Sequence, residues 1–235
     1  MKIVFIADAH LKGPDDPNLK TLVKFIESLH GIDALVILGD LFDFWTGGNS
    51  VAHRNYLPVL ESLAGLSRKG IKIIYLEGNH DFSMGDFFVN RLKASVHPDS
   101  FALDVDGKRM YLSHGDAVAM TPGYRLWRRF LRSRAFGAVS FILTPAGVWK
   151  SAVRLSRRSR NYGKGSLPID SSLREFAKKM IMNEGFSAVV MAHSHVAGIH
   201  REGAGYYANP GAWADAGRYL VYDGKDFRLE RWKGA

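Results

Sequence analysis

Asp8 and His10 stand in the stretch ADAH, Asp40 and Asp43 in GDLFD, and Asn79, His80 and Asp81 in GNHD. His114 follows KRMYLS, and His193 and His195 follow AVVMA. Carboxylate, imidazole and amide donors recur, and thiolate does not, because the chain has no cysteine. Such a donor set suits Mn²⁺, Fe²⁺ or Zn²⁺. Two cations held side by side need an anion between them, and one carboxylate can offer an oxygen to each. A metal pair can orient a water, acidify it and clamp a phosphoryl group during in-line displacement. Any one of these residues alone would be ordinary turn or capping chemistry. Five segments ending in the same chemistry point instead to a dinuclear hydrolytic centre. Five of the nine histidines take part; His30, His53, His97 and His200 stand apart from the pattern.

What places these residues is a series of short apolar runs, Ile3–Ala7, Ala34–Leu38, Ile71–Leu76 and Ala188–Ala192. Each has strand length and is nearly all apolar, as expected of strands covered on both faces. Helical spacing fills the gaps. Asn18–Leu29 carries Leu19, Leu22, Val23, Phe25, Ile26 and Leu29, and Val51–Leu66 carries Tyr56, Leu57, Leu60, Leu63 and Leu66. This alternation predicts an α/β layered domain, in which ligands gather beyond the carboxyl ends of the strands. FALDV and KRMYLS flank Asp106-Gly107, a hairpin signal, and the chain after Ser194 reads as short strands with a second turn at Asp223-Gly224.

The 235 residues suffice for one sizeable domain or a domain with an insertion. A disulfide framework is excluded. The five apolar residues Ile3–Ala7 are too few for a signal-peptide core and read as a first strand. No stretch has the roughly 18 apolar residues of a membrane span. The net charge of +9 is unevenly placed. Between Asp116 and Asp170 lie eleven Lys/Arg and no acid, so the other segments hold 21 basic residues against all 23 acidic ones. The basic segment is also rich in Tyr124, Trp127, Phe130, Phe136, Phe141 and Trp149. Its spacing predicts two or more helices, interrupted near Thr144-Pro145 and Gly147. We therefore expect a core of residues 1–116 and 170–235, with 117–169 inserted as a basic, apolar helical cap.

The ordered set DAH, GDLFD, GNHD, SHGD and AHSH resembles the signature of calcineurin-like metallophosphoesterases, and it spans residues 8 to 195. The resemblance implies a four-layer sandwich of two mixed sheets flanked by helices. It implies two divalent ions, Mn first among the candidates. Asp8, His10 and His195 would bind one and Asn79, His114 and His193 the other, with Asp40 between them. His80 would contact the scissile phosphate or protonate the leaving group, oriented by Asp43, while Asp81 would support its own loop. Ala192 departs from the glycine usual in the family before His-x-His.

Within that superfamily, LFDFW resembles the UDP-2,3-diacylglucosamine hydrolases of lipid A synthesis, which also carry a helical insertion after the HGD stretch. This implies cleavage of an acylated nucleotide sugar to UMP and 2,3-diacylglucosamine 1-phosphate. Trp45 and the cap residues Arg157, Arg158, Arg160, Asn161 and Lys164 are the expected substrate contacts, since guanidinium groups pair with phosphates. Helices mixing Lys/Arg with Trp/Phe also suit an anionic membrane surface, so a cytoplasmic location at the inner membrane is expected. His80 stands where those hydrolases carry Arg. A phosphodiesterase or nuclease of the same superfamily is the competing reading, with the basic arm gripping nucleic acid. Against it, the arm is as apolar as it is basic.

Overall fold

The computed structural model describes residues 1–118, 120, 122–131 and 167–234. Two mixed sheets face each other. The first has six strands in the order β13-β12-β1-β2-β4-β6, and the second five in the order β10-β11-β9-β8-β7. Strands β1 (Ile3–Ile6), β2 (Ala34–Ile37), β4 (Lys72–Leu76) and β6 (Ser95–His97) run parallel. On the far side of β1, β12 (Arg218–Tyr222) and β13 (Phe227–Arg231) extend the sheet antiparallel. In the second sheet β8 (Lys108–Ser113), β9 (Ala188–Val190) and β11 (Gly205–Asn209) are parallel, while β7 (Ser100–Val105) and β10 (Gly198–Glu202) pair antiparallel at its edges. β3 (Trp45–Thr46) and β5 (Asp81–Phe82) form a separate two-residue ladder.

Side-chain alternation explains the layering. Ile3 and Phe5 of β1, with Ala7 just beyond it, join Val36, Leu76, Leu112, Val190 and Ala208 in a core between the sheets. Val4 and Ile6 point the other way, onto α1 (Pro17–Ser28) and α3 (Leu57–Arg68), through Leu22, Phe25, Ile26, Leu60 and Leu63. On the outer face of the second sheet, Val189, Met191 and Tyr207 meet Leu173, Ala177 and Ile181 of a long helix, Leu167–Glu184. The result is helix, sheet, sheet, helix, the four-layer α/β architecture expected from the sequence. In chain order the remaining helices are α2 (Ser50–Asn55) and α4 (Pro122–Leu131) before that long helix, α5, and α6 (Trp213–Ala216) after it.

The single helical pattern read over Val51–Leu66 is in fact two helices, broken at Tyr56. Pro58 has no N–H to continue the ladder, and the buried Tyr56 hydroxyl donates instead to the Leu11 carbonyl at 2.7 Å. The expected hairpin forms, with Asp106 and Gly107 at φ 50° and 77°, the positive values a tight primed turn requires. A π-helical turn at Phe87–Arg91 carried no recognisable signal. Of the expected cap, α4 is described. Arg157, Arg158, Arg160, Asn161 and Lys164 lie outside the described residues.

Candidate metal centre

Every expected ligand sits within five residues of the carboxyl end of β1, β2, β4, β8 or β9. The two sheets bring these ends to one edge of the molecule. Asp8, His10, Asp40, His193 and His195 all have positive φ, between 44° and 67°. Such backbone costs about 1–3 kcal/mol per non-glycine residue and persists only where surroundings over-determine it. The reward is convergence. A chain leaving a buried strand must turn sharply to aim consecutive side chains inward.

Each carboxylate splits its labour. Asp8 Oδ2 accepts the His193 N–H at 3.2 Å, while Oδ1 is buried with no hydrogen-bond donor. Around that oxygen lie His195 Nε2 at 3.5 Å and His10 Nε2 at 3.8 Å, with the two imidazole nitrogens 3.4 Å apart. Asp40 Oδ1 accepts the His80 N–H at 2.9 Å. Its Oδ2 faces His114 Nε2 at 3.5 Å, His10 Nε2 at 3.9 Å and His80 Nε2 at 4.0 Å. His114 Nε2 in turn lies 3.2 Å from both Asn79 Oδ1 and His193 Nδ1. Asp8, His10 and His195 thus form one nest and Asn79, His114 and His193 a second, and Asp40 Oδ2 reaches both.

These nests fit divalent cations. His114 Nδ1 is 2.7 Å from the Leu38 carbonyl, which only accepts, so Nδ1 carries the hydrogen. In the neutral ring Nε2 is then a lone pair, facing the amide oxygen of Asn79, a carboxylate oxygen and another imidazole. A buried oxygen without a donor and lone pairs turned toward one another call for positive charge between them. Three His/Asp groups among the described residues have ligand atoms close enough to share an ion: Asp8–His10–His195, His10–Asp40–His80 and Asp8–Asp40–His114.

The electrostatics agree. Burial alone would raise the Asp40 pKa, but the imidazoles of His114, His80 and His10 outweigh it and hold the carboxyl well below its usual range. Burial lowers His114, yet Asp40, Asp8 and Asp116 overcome it and push the ring up to about 9. His10 is driven down to about 4, mainly by burial. Without a metal, Asp40 stays ionised and His114 holds a proton beside it, so positive charge lies where a cation would sit.

Glycines permit the approach. A Cβ on Gly78 would stand 2.1 Å from Asp40 Oδ1, and one on Gly39 would stand 2.8 Å from both Gly78 Cα and His114 Nδ1. Asp81 secures the two loops. Its carboxylate receives the N–H groups of Asp40, Leu41, Phe42 and Gly78 and the Tyr75 hydroxyl, at 2.5–3.3 Å.

His80 sits at the rim of the site. Its Nδ1 is 3.1 Å from the main-chain carbonyl of Asp43, so Nδ1 donates and Nε2 faces Asp40. Trp45 departs from the sequence expectation. It is 2% exposed, stacks on Phe42 at 4.9 Å and donates Nε1–H to the Met84 carbonyl, so its ring packs the loop and offers substrate no face. Sequence reasoning passed over Asp170 and Arg128. Arg128 of α4 bonds Asp116 at 2.9 Å, Asp99 at 2.6 Å and the Pro98 carbonyl at 3.2 Å. Asp116 in SHGD was a visible clue, but its partner twelve residues on was not.

A family model for calcineurin-like phosphoesterases matches residues 1–197. The chain belongs to that family. As a calcineurin-like phosphoesterase it is a metal-dependent hydrolase, and the two nests are where a dinuclear divalent site fits. It is 29% identical over 83% of its length to a UDP-2,3-diacylglucosamine hydrolase of Aromatoleum aromaticum, covering 80% of that protein. It is 28% identical over 98% of its length to the enzyme of the same name from Aeromonas salmonicida, covering 93%. Among solved structures, an archaeal phosphodiesterase superposes over 99% of the chain and 100% of its own, with TM-score 0.53 and 14% identity, a likeness of fold.

Proposed function

We propose that this phosphoesterase hydrolyses the pyrophosphate of UDP-2,3-diacylglucosamine, giving UMP and 2,3-diacylglucosamine 1-phosphate. The observation carrying this reading is similarity to hydrolases of that name along nearly the whole chain, not only across the metal-binding stretches. In this reading Asp8, His10 and His195 hold one metal, Asn79, His114 and His193 hold the other, and Asp40 serves both. The donor set, all oxygen and nitrogen, favours Mn²⁺, with Fe²⁺ or Zn²⁺ as alternatives. The bound pair supplies Lewis acidity toward the phosphoryl oxygens and lowers the pKa of a coordinated water.

The chain's own residues do the rest. Water adds to the α-phosphorus, and the bond from that phosphorus to the bridging oxygen breaks. The sugar phosphate leaves on that oxygen. His80, with Nδ1 committed to the Asp43 carbonyl, presents Nε2 to the transferred phosphoryl group or to the departing oxygen. An Arg in its place would stay charged at every physiological pH, whereas His can also pass a proton. Segment 117–169 acts as the cap. Its aromatic and aliphatic side chains take the acyl chains, and Arg157, Arg158, Arg160, Asn161 and Lys164 take phosphate. The same basic segment favours peripheral attachment to the anionic cytoplasmic face of the inner membrane. No helix among the described residues is long and apolar enough to cross a membrane.

The test is direct. Purified protein loaded with Mn²⁺ is given UDP-2,3-diacylglucosamine, and products are read by mass spectrometry. Equimolar UMP and acylated sugar 1-phosphate are expected. Turnover of bis-p-nitrophenyl phosphate with no cleavage of the acylated nucleotide sugar would assign the site to another phosphodiester.

A further inference from the structure

His193 and His195 flank Ser194, and both have positive φ, 67° and 60°. The two ligands therefore depend on how the residue between them is held. Ser194 is 1% exposed and closely bonded. Its N–H donates to the Ala192 carbonyl at 2.7 Å. Its Oγ donates to Asp170 Oδ1 at 3.1 Å and accepts from Asn209 Nδ2 at 3.0 Å and from the Val196 N–H at 3.3 Å. Asp170 also receives the Tyr207 hydroxyl at 3.1 Å. The carboxylate lies in the first turn of α5 and is buried. Asn209 spans strand and loop, its Nδ2 also lying 3.3 Å from the Ala192 carbonyl and its Oδ1 accepting the Gly211 N–H at 2.8 Å.

We infer that Asp170 is a positioning residue for both metals: through Ser194 it fixes the backbone that presents His193 to one nest and His195 to the other. This rests on the metal assignment proposed above. The chemistry suits the task. A hydroxyl alone can rotate between partners, but a buried carboxylate accepts without donating, so it sets the direction of the Ser194 proton and leaves the Oγ lone pairs to Asn209 and Val196. Because one serine sits between ligands of two nests, loosening it disturbs both together. Because Asp170 lies in the first turn of α5, which starts at Leu167 inside segment 117–169, the ligand loop is braced by the same helix in which the inserted segment ends.

The test is calorimetric titration of metal-stripped full-length protein with Mn²⁺, alongside circular dichroism and kinetics on bis-p-nitrophenyl phosphate. Asp170→Ala and Ser194→Ala should each weaken Mn²⁺ binding at both sites by about 10–100-fold, the scale for residues supporting metal ligands. At saturating Mn²⁺, kcat should fall while KM changes less than about twofold. Asp170→Asn keeps an acceptor oxygen and should recover most of the lost affinity. Tyr207→Phe removes the other hydroxyl on Asp170, and with it a 3.3 Å contact to Asn209 Nδ2, but leaves the Ser194–Asp170 bond in place, and should bind Mn²⁺ nearly as tightly as the unmodified chain. Folded alanine variants with unchanged affinity would overturn the inference, and so would a Tyr207→Phe loss as large as that of Ser194→Ala. Should Asp170→Ala fail to fold, Ser194→Ala against Tyr207→Phe decides it. If the unmodified chain binds no Mn²⁺, the metal assignment itself falls, a result distinct from either.

Discussion

Asn79 and His114 make the residue-scale case, because Asn79 Oδ1 and His114 Nε2 meet at 3.2 Å in the second nest. Asn79→Ala or His114→Ala should lower kcat/KM by more than the about 10–100-fold typical of a merely supporting residue, with unchanged circular dichroism. Activity surviving in metal-replete protein would remove that residue from the ligand set. His114 also predicts a pH effect. In metal-free protein its pKa is about 9 against an ordinary 6.5, so the folded state holds a proton that the unfolded state has released. That contribution is full below about pH 6.5 and disappears as pH rises through about 9. The melting temperature of stripped protein should therefore fall across this window, and Mn²⁺ should abolish the fall by taking the proton's place. Residue identity was the most legible level, since the same donor chemistry recurs after five separate segments although each instance alone would be ordinary turn chemistry. Two details were not legible. His80 leans on the carbonyl of Asp43, and a main-chain contact leaves no trace in residue type. Trp45 shares its neighbourhood with the site but turns into the core, which depends on the side-chain direction along a two-residue strand.

Elements decide whether those residues meet. Apolar runs forecast β1, β2, β4 and β9, because strands buried on both faces leave a continuous apolar record, and the Asp106-Gly107 turn forecast the half-exposed pair β7 and β8. The break at Tyr56 was written in Pro58 but masked by apolar spacing that runs straight through it. The close contact between the loops after β2 and β4 could not be read at all, since Gly78 and Asp40 become neighbours only when their strands pair. Gly78→Ala should therefore be severe. Its Cβ would collide with the carboxylate shared by the nests, costing about 1–3 kcal/mol as overpacking. Urea denaturation should show that loss, and Mn²⁺ titration a matching loss of affinity. Arg128 acts at the same scale by tying α4 to Asp116 and Asp99. Arg128→Ala should cost on the order of 2 kcal/mol, the worth of a charge-assisted hydrogen bond, and should speed proteolysis near residues 122–131.

For the whole molecule, the separation of charge matters more than its sum. Eleven basic residues and no acid between Asp116 and Asp170 should draw the protein to vesicles containing anionic lipid. Co-sedimentation should weaken from low to about 0.5 M salt, as the Debye length contracts. Salt-independent binding would point to an apolar anchor, and no binding would remove the membrane from the proposed function. Long-range order also has a temporal side. β1 lies in the middle of its sheet, between β2 and β12, and His193 follows Asp8 by 185 positions. At roughly 5–20 residues per second on the ribosome, about 10–40 s separate the first donors from the last. Throughout that interval the nascent chain carries only part of each nest. On the proposed ligand assignment, hydrolytic power would arrive late in synthesis, once β9 docks beside β8 and brings His193 and His195 to the other donors.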